Sequence, residues 1–203
     1  MTVKSLTRSS LVNNRWYENM LAGNAAYIPA TYELLETQIL TGAQSSIVFS
    51  SLDSKYAADY QHLQIRGVVQ STRASSLDSL RIKLNGDTAS NYSFHFLQGG
   101  NPSSVTSSSG ANSNNIFAGY IPGTSNSFSW SPTITDILDA FETTKNKTTR
   151  SLTGQIDPNW QLTTFCSGSW RNTNALTSIE ISPEIGPNFS IGTRISLYGM
   201  RAN

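Results

Sequence analysis

His62-Leu63-Gln64-Ile65-Arg66-Gly67-Val68-Val69 decides the fold. Leu63, Ile65 and either Val68 or Val69 can point to one face while His62, Gln64 and Arg66 take the other. A period of two belongs to a strand and not to a helix face. The same reading holds for Ser46–Phe49, Leu80–Leu84, Tyr92–Phe96, Ser127–Trp130, Thr149–Thr153, Leu162–Phe165, Thr177–Ile181 and Arg194–Tyr198, each only one strand long. Pro122-Gly123, Asp157-Pro158-Asn159 and Gly186-Pro187-Asn188 punctuate these runs. The spacing leaves no room for the crossover helices that parallel strands need. The expected fold is all-β: an antiparallel two-sheet β-sandwich over residues 31–203, preceded by an extended N-terminal arm over residues 1–30.

Three segments carry further expectations. Asn85-Gly86-Asp87 accepts the positive φ of a tight turn and predicts an antiparallel hairpin with an enlarged loop between the Leu80 and Tyr92 segments. Gly99–Asn115 is nearly devoid of apolar and charged side chains and reads as a long solvated loop, either a connector or a surface offered to a ligand. Thr135–Lys147 places Ile137, Leu138 and Phe141 at near-helical spacing after a candidate Thr135 cap, so one or two helical turns are expected there. An edge strand leading into the Lys145-Asn146 turn is the competing reading.

The arm differs from the rest. Arg15–Asn24 packs aromatic and apolar residues without alternation, suggests a short helical turn around Tyr17–Leu21 capped by Gly23, and is followed by Pro29. So little sequence cannot form its own core. Its apolar groups must bury against their own domain or against another subunit. In the second case Trp16, Tyr17, Met20, Leu21 and Tyr27 are the partner-docking residues.

The chain has 203 residues, enough for a core without disulfides or metal, and a formal charge of +1. Charged residues make up 13%, about half the usual share, so solubility rests on Ser, Thr, Asn and Gln. No Lys/Arg stripe tracks phosphates, which argues against nucleic acid as a main partner. The first ten residues lack an apolar signal region and no stretch approaches a membrane span, so neither secretion nor membrane insertion is expected.

The chemical inventory is thin. With two histidines and thirteen acids, the chain lacks the spacings of zinc, acyl-transfer and nucleotide sites. Neither a catalytic residue nor a cofactor or metal is expected. His62 and His95 read as surface or structurally satisfied histidines, and Cys166 as a small buried hydrophobe. Asp136, Asp139 and Glu142 could share a helical face, which is more simply a solvated one. Asp87 suits a turn-stabilising bond better than calcium. Trp130, Trp160 and Trp170, with Tyr56, Tyr60 and Tyr120, are expected in a core or an interface, with stacking on sugars as the alternative.

The chain resembles a group of tailed-bacteriophage virion proteins best represented in phages of aquatic bacteria. The residues that carry the resemblance are Asn19-Met20-Leu21-Ala22-Gly23-Asn24 with Ile28-Pro29, Tyr60–Arg66, Leu84–Asp87 with Asn91-Tyr92-Ser93, Thr143–Thr148, Gly168-Ser169-Trp170-Arg171 and Ser196-Leu197-Tyr198-Gly199. The resemblance implies a jelly-roll-like sandwich mounted on a virion. It would be a non-enzymatic tail or head fibre domain that contacts the host, or a capsid decoration protein; a polysaccharide-degrading enzyme is the remaining reading. Other virion proteins, further copies in a homotrimer and a host surface glycan or protein are the implied partners.

Overall fold

A computed structural model describes residues 32–100, 104–125, 129–157 and 160–201. The arm, with Trp16, Tyr17, Met20, Leu21 and Tyr27, lies outside the described residues, as do Ser127 and Phe128 of one expected strand.

The strands are β1 (Tyr32–Ile39), β2 (Ile47–Ser50), β3 (His62–Val69), β4 (Leu77–Leu84), β5 (Tyr92–Gly100), β6 (Ser104–Ser113), β7 (Ile116–Pro122), β8 (Ser131–Leu138), β9 (Lys147–Asp157), β10 (Trp160–Trp170), β11 (Ser178–Pro183) and β12 (Arg194–Met200). They form an eight-stranded sheet in the order β1-β12-β3-β8-β9-β10-β5-β6 and a four-stranded sheet in the order β2-β11-β4-β7. Every pairing between these strands is antiparallel.

The order makes the sandwich a jelly roll. The chain changes sheet from β2 to β3, β3 to β4, β4 to β5, β6 to β7 and β7 to β8, and β11 returns to lie between β2 and β4. That leaves two four-strand arrays, β2-β11-β4-β7 and β3-β8-β5-β6, the double Greek key of jelly rolls. The hairpin β9–β10 is inserted between β8 and β5, and β12 and β1 extend the large sheet beyond β3.

Between the sheets, Leu63, Ile65 and Val69 of β3 meet Leu80, Ile82 and Leu84 of β4, Ile179 and Ile181 of β11, Phe49, Ile116 and Leu197 in one buried cluster. In β3 the face chosen by alternation holds: Leu63, Ile65 and Val69 are buried, and Val68 is exposed.

The structure corrects several expectations. Asn85 and Gly86 do adopt positive φ, 53° and 63°, but β4 pairs with β7 and β11 while β5 pairs with β6 and β10. The turn is therefore an arch between sheets. It is held by the Trp170 indole, which donates to the Asp87 carboxylate at 2.7 Å and stacks on Tyr92, whose hydroxyl donates to the Leu84 and Asp87 carbonyls. Most of the expected loop at Gly99–Asn115 is strand β6, the edge of the large sheet. Its side chains are mainly exposed, and its order comes from the main-chain ladder to β5, which needs no apolar residues.

The expected helical turns after Thr135 are also absent. β8 runs to Leu138 in the middle of the large sheet, between β3 and β9, and the chain then turns at Asp139 with φ 51°. The described helix is α1 (Leu52–Tyr56), one turn that buries Leu52, and it is too short to mark the sequence with a period.

Candidate functional site

In β8, β9 and β10 the polarity of the sheet is inverted. Ser131, Thr133 and Thr135, then Thr149, Ser151 and Thr153, then Thr164 and Cys166 point inward and are buried. Their neighbours Ile134, Leu152 and Phe165 point outward: Leu152 is 47% exposed and Ser151 only 2%.

The cause lies across the sandwich. β7 passes so close that a Cβ on Gly119, held at φ 126°, would collide with the Thr153 side chain, and a Cβ on Gly168 would meet Ile116 and Thr149. Where β7 passes this closely the large sheet presents Ser, Thr and Gly, while Ile137 of β8 and Leu162 and Trp170 of β10 are the large buried residues of these strands. Thr135 donates to Ser151 at 2.9 Å, whereas the hydroxyls of Thr133, Thr149, Thr153 and Thr164 have no partner among the described residues.

Strand register lines up the outward residues. Ile134 sits opposite Leu152, Leu152 opposite Phe165 and Phe165 opposite Leu97 of β5, so an apolar row crosses four strands. Arg66 continues the row on β3, where its guanidinium lies 5.0 Å from the Tyr32 ring and 5.3 Å from that of Tyr198. The parallel row of Asp136 and Arg150, paired at 3.3 Å, bounds the patch on one side. A contiguous apolar strip framed by polar groups is the usual mark of an interaction surface.

On its other side the strip opens into a groove of about 940 Å³ at the end of the large sheet where β5 meets β6 and β9 meets β10. It is lined by Gly154, Thr163 and Gly99, which share one cross-strand row, and by Trp130, Pro132, Ile156, Val105 and Gln161. A shallower trough of about 220 Å³, lined by Pro132, Ile134, Leu152 and Thr163, joins it to the apolar row. Among the described residues no charged side chain lines either depression. Gln155 lies on the inward side of β9; it is 4% exposed, and neither its carbonyl nor its amide nitrogen has a partner among the described residues.

The ionisable residues singled out in the sequence are dispersed. His62 Nδ1 accepts a bond from the Asp139 main-chain N–H at 2.9 Å, and His95 stands exposed on the outer face of β5. Asp136 pairs with Arg150, while a bond from Gln61 and then the Lys145 ammonium hold the Asp139 carboxyl below its ordinary value. Glu142 caps Thr143 and Thr144, so the three acids share no face. Asp87 accepts from the Ala89 N–H, as a turn-stabilising carboxylate does. Burial drives the Cys166 thiol up to about 12. Among the described residues no group of three or more His, Cys, Asp or Glu is placed to hold a metal ion, and no helix is long and apolar enough to cross a membrane.

Of the aromatic residues, Trp170 and Tyr60 are buried, Tyr56 packs on the core, and Tyr120 joins Phe94, Phe96 and Phe117 in a cluster beneath β5. Trp130 lines the groove; the side chain of Trp160 lies outside the described residues. Sequence reasoning missed Ile134, Leu152, Phe165 and Gln155. The signal was present: Thr133-Ile134-Thr135, Ser151-Leu152-Thr153 and Thr164-Phe165-Cys166 each set one large apolar residue between small ones.

Fold and surface together describe a jelly-roll module with an apolar sheet face and an end groove whose described lining residues carry no charge. Compared with protein-family models, curated proteins and solved structures, the chain finds no match in any of the three.

Proposed function

We propose that this chain is a non-enzymatic structural protein of a tailed-phage particle, a fibre or spike domain that docks by its N-terminal arm and presents its sandwich for host attachment. The observation that carries the reading is the inverted polarity of β8–β10. A sheet that points Ile134, Leu152, Phe165 and Leu97 outward while burying hydroxyls is built to be covered, as in a subunit of a larger assembly. The sequence resemblance supplies the virion setting.

In this reading the partners are other virion proteins and further copies of the chain, arranged as a homotrimer that multiplies weak host contacts. The same apolar face supports a second reading, a capsid decoration protein that buries area across joints between shell subunits.

Copy number separates the two. Quantitative mass spectrometry of purified particles is expected to give far fewer copies than the major capsid protein for a fibre, and a comparable number for decoration. Deleting residues 1–28 is expected to leave the sandwich folded and abolish incorporation; a truncated chain that assembles normally removes the docking role of the arm. Release of sugar from host polysaccharide by the purified chain would contradict the non-enzymatic reading.

A further inference from the structure

We propose that the free edge of β6 pairs with the same edge of a second copy, so that two large sheets join into one across a two-fold axis. This contact needs neither the particle setting nor the Leu152–Phe165 row. β6 ends the strand order of the large sheet and has no second neighbour among the described residues. Alternate residues of such a strand aim their N–H and C=O groups away from the sheet, where another strand can take them. The side chains of Ser104–Ser109 are exposed on both faces, so the ladder to β5 is what orders this strand.

The other three edges of the described sheets are blocked. β1 carries Glu33, Glu36 and a bulge between Leu34 and Glu36. β2 is four residues long, and its Val48 carbonyl already accepts from the Gln38 side chain at 2.8 Å. β7 has a register break opposite Leu80 and Arg81 and ends at Pro122, whose carbonyl accepts from the Ser71 N–H at 2.9 Å. Charge, bulges, shortness and proline are the ordinary protections of an edge. From Ser104 to Gly110 β6 has none of them: no charged residue, no proline, and residue-for-residue pairing with β5. The same stretch points to its occupant. With nothing larger than Val105 it offers main chain and small hydroxyls, and no charged, aromatic or bulky side chain that would select a foreign partner. It calls for an extended, uncharged and unprotected edge, and of the four edges described that is β6 itself. Serine and threonine hydroxyls then meet without repulsion, and a two-fold contact closes at two copies. Full overlap of Ser104–Gly110 with its copy sets Ser107 opposite Ser107 and Val105 opposite Ser109.

Sedimentation of the purified full chain at concentrations up to about 100 μM tests the pairing, since a contact this small is weak. A monomer–dimer equilibrium is expected. Ser107→Lys sets like charges face to face and is expected to weaken dimerisation about tenfold or more, with the melting temperature of the monomer unchanged because the side chain is exposed. Under oxidation Ser107→Cys is expected to cross-link into dimers; native Cys166 is buried and takes no part. Val105→Cys is expected not to cross-link, because the two copies of that position lie four residues, about 13 Å, apart along the strands. A chain that stays monomeric at about 100 μM leaves the edge to its own first residues or to a foreign strand and overturns the proposal. So do a dimer that Ser107→Lys leaves whole, and Val105→Cys that cross-links as readily as Ser107→Cys. Self-association lost in Leu152→Ser and kept in Ser107→Lys would assign the contact to the sheet face instead. Presence in purified particles is read separately, so the edge contact and the particle role can each fail alone.

Discussion

Single side chains tie the two sheets together where the chain crosses between them. Asp78 on β4 is 1% exposed, and its carboxylate accepts from the Ser71 hydroxyl at 2.6 Å and from the N–H groups of Ser79, Ile185 and Gly186 at 2.7, 3.1 and 2.8 Å. Asp78→Ala leaves four donors without their acceptor and is expected to cost about 3 kcal/mol or more in denaturant unfolding. A loss within experimental error would mean that the β11–β12 loop is held elsewhere. Lys147, fully buried, gives its ammonium to the carbonyls of Glu142, Lys145 and Thr173, and burial lowers its pKa.

Burial also raises Tyr92 to about 12 from 10.0 and Cys166 to about 12 from 9.0. In both, the native state keeps a proton that the unfolded chain releases at lower pH, so stability falls as pH climbs above 9 towards 12. Lys147 acts in the opposite sense, since the unfolded chain holds its proton up to 10.5 while the native state gives it up earlier. The net expectation is a falling denaturation midpoint between about pH 9 and about pH 12, with a shallower slope above about pH 10 in Tyr92→Phe. An unchanged slope in that variant would contradict the assignment to Tyr92.

At the scale of the element, alternation identified strands but not their faces or partners. In β3 apolar residues fall inward and the reading is direct, whereas in β9 the close passage of β7 reverses it. Nothing local to Ser151-Leu152-Thr153 announces which side faces another sheet. The Asn85-Gly86 turn was legible because positive φ is a property of two residues; whether the next strand pairs with the last or crosses to the other sheet is decided by β7, β10 and β11. Strand β6 was hidden because an exposed edge needs main-chain pairing and no apolar pattern.

The inverted element carries its own prediction. Leu152→Ser and Phe165→Ser remove exposed apolar area, so each is expected to change stability by no more than about 0.5 kcal/mol while reducing self-association in sedimentation and incorporation into particles. Destabilisation by 2 kcal/mol or more, roughly the cost of a core truncation, would show that these residues serve their own fold.

At the scale of the molecule, the described residues form a jelly roll widened by one inserted hairpin and two flanking strands, and the widening builds the candidate site. β9 and β10 supply the outward Leu152 and Phe165 and the groove-lining Gly154, none of which the eight-strand core contains. The candidate site was thus the least legible part of the sequence: it is a row and a groove assembled across strands far apart in the chain. Electron microscopy of purified particles tests the particle role most directly. Density for the jelly roll on the particle surface, with the Ile134–Leu152–Phe165–Leu97 row covered by a neighbouring subunit, is the expected result; particles that lack the chain, or hold it with that row facing open solvent, would contradict it.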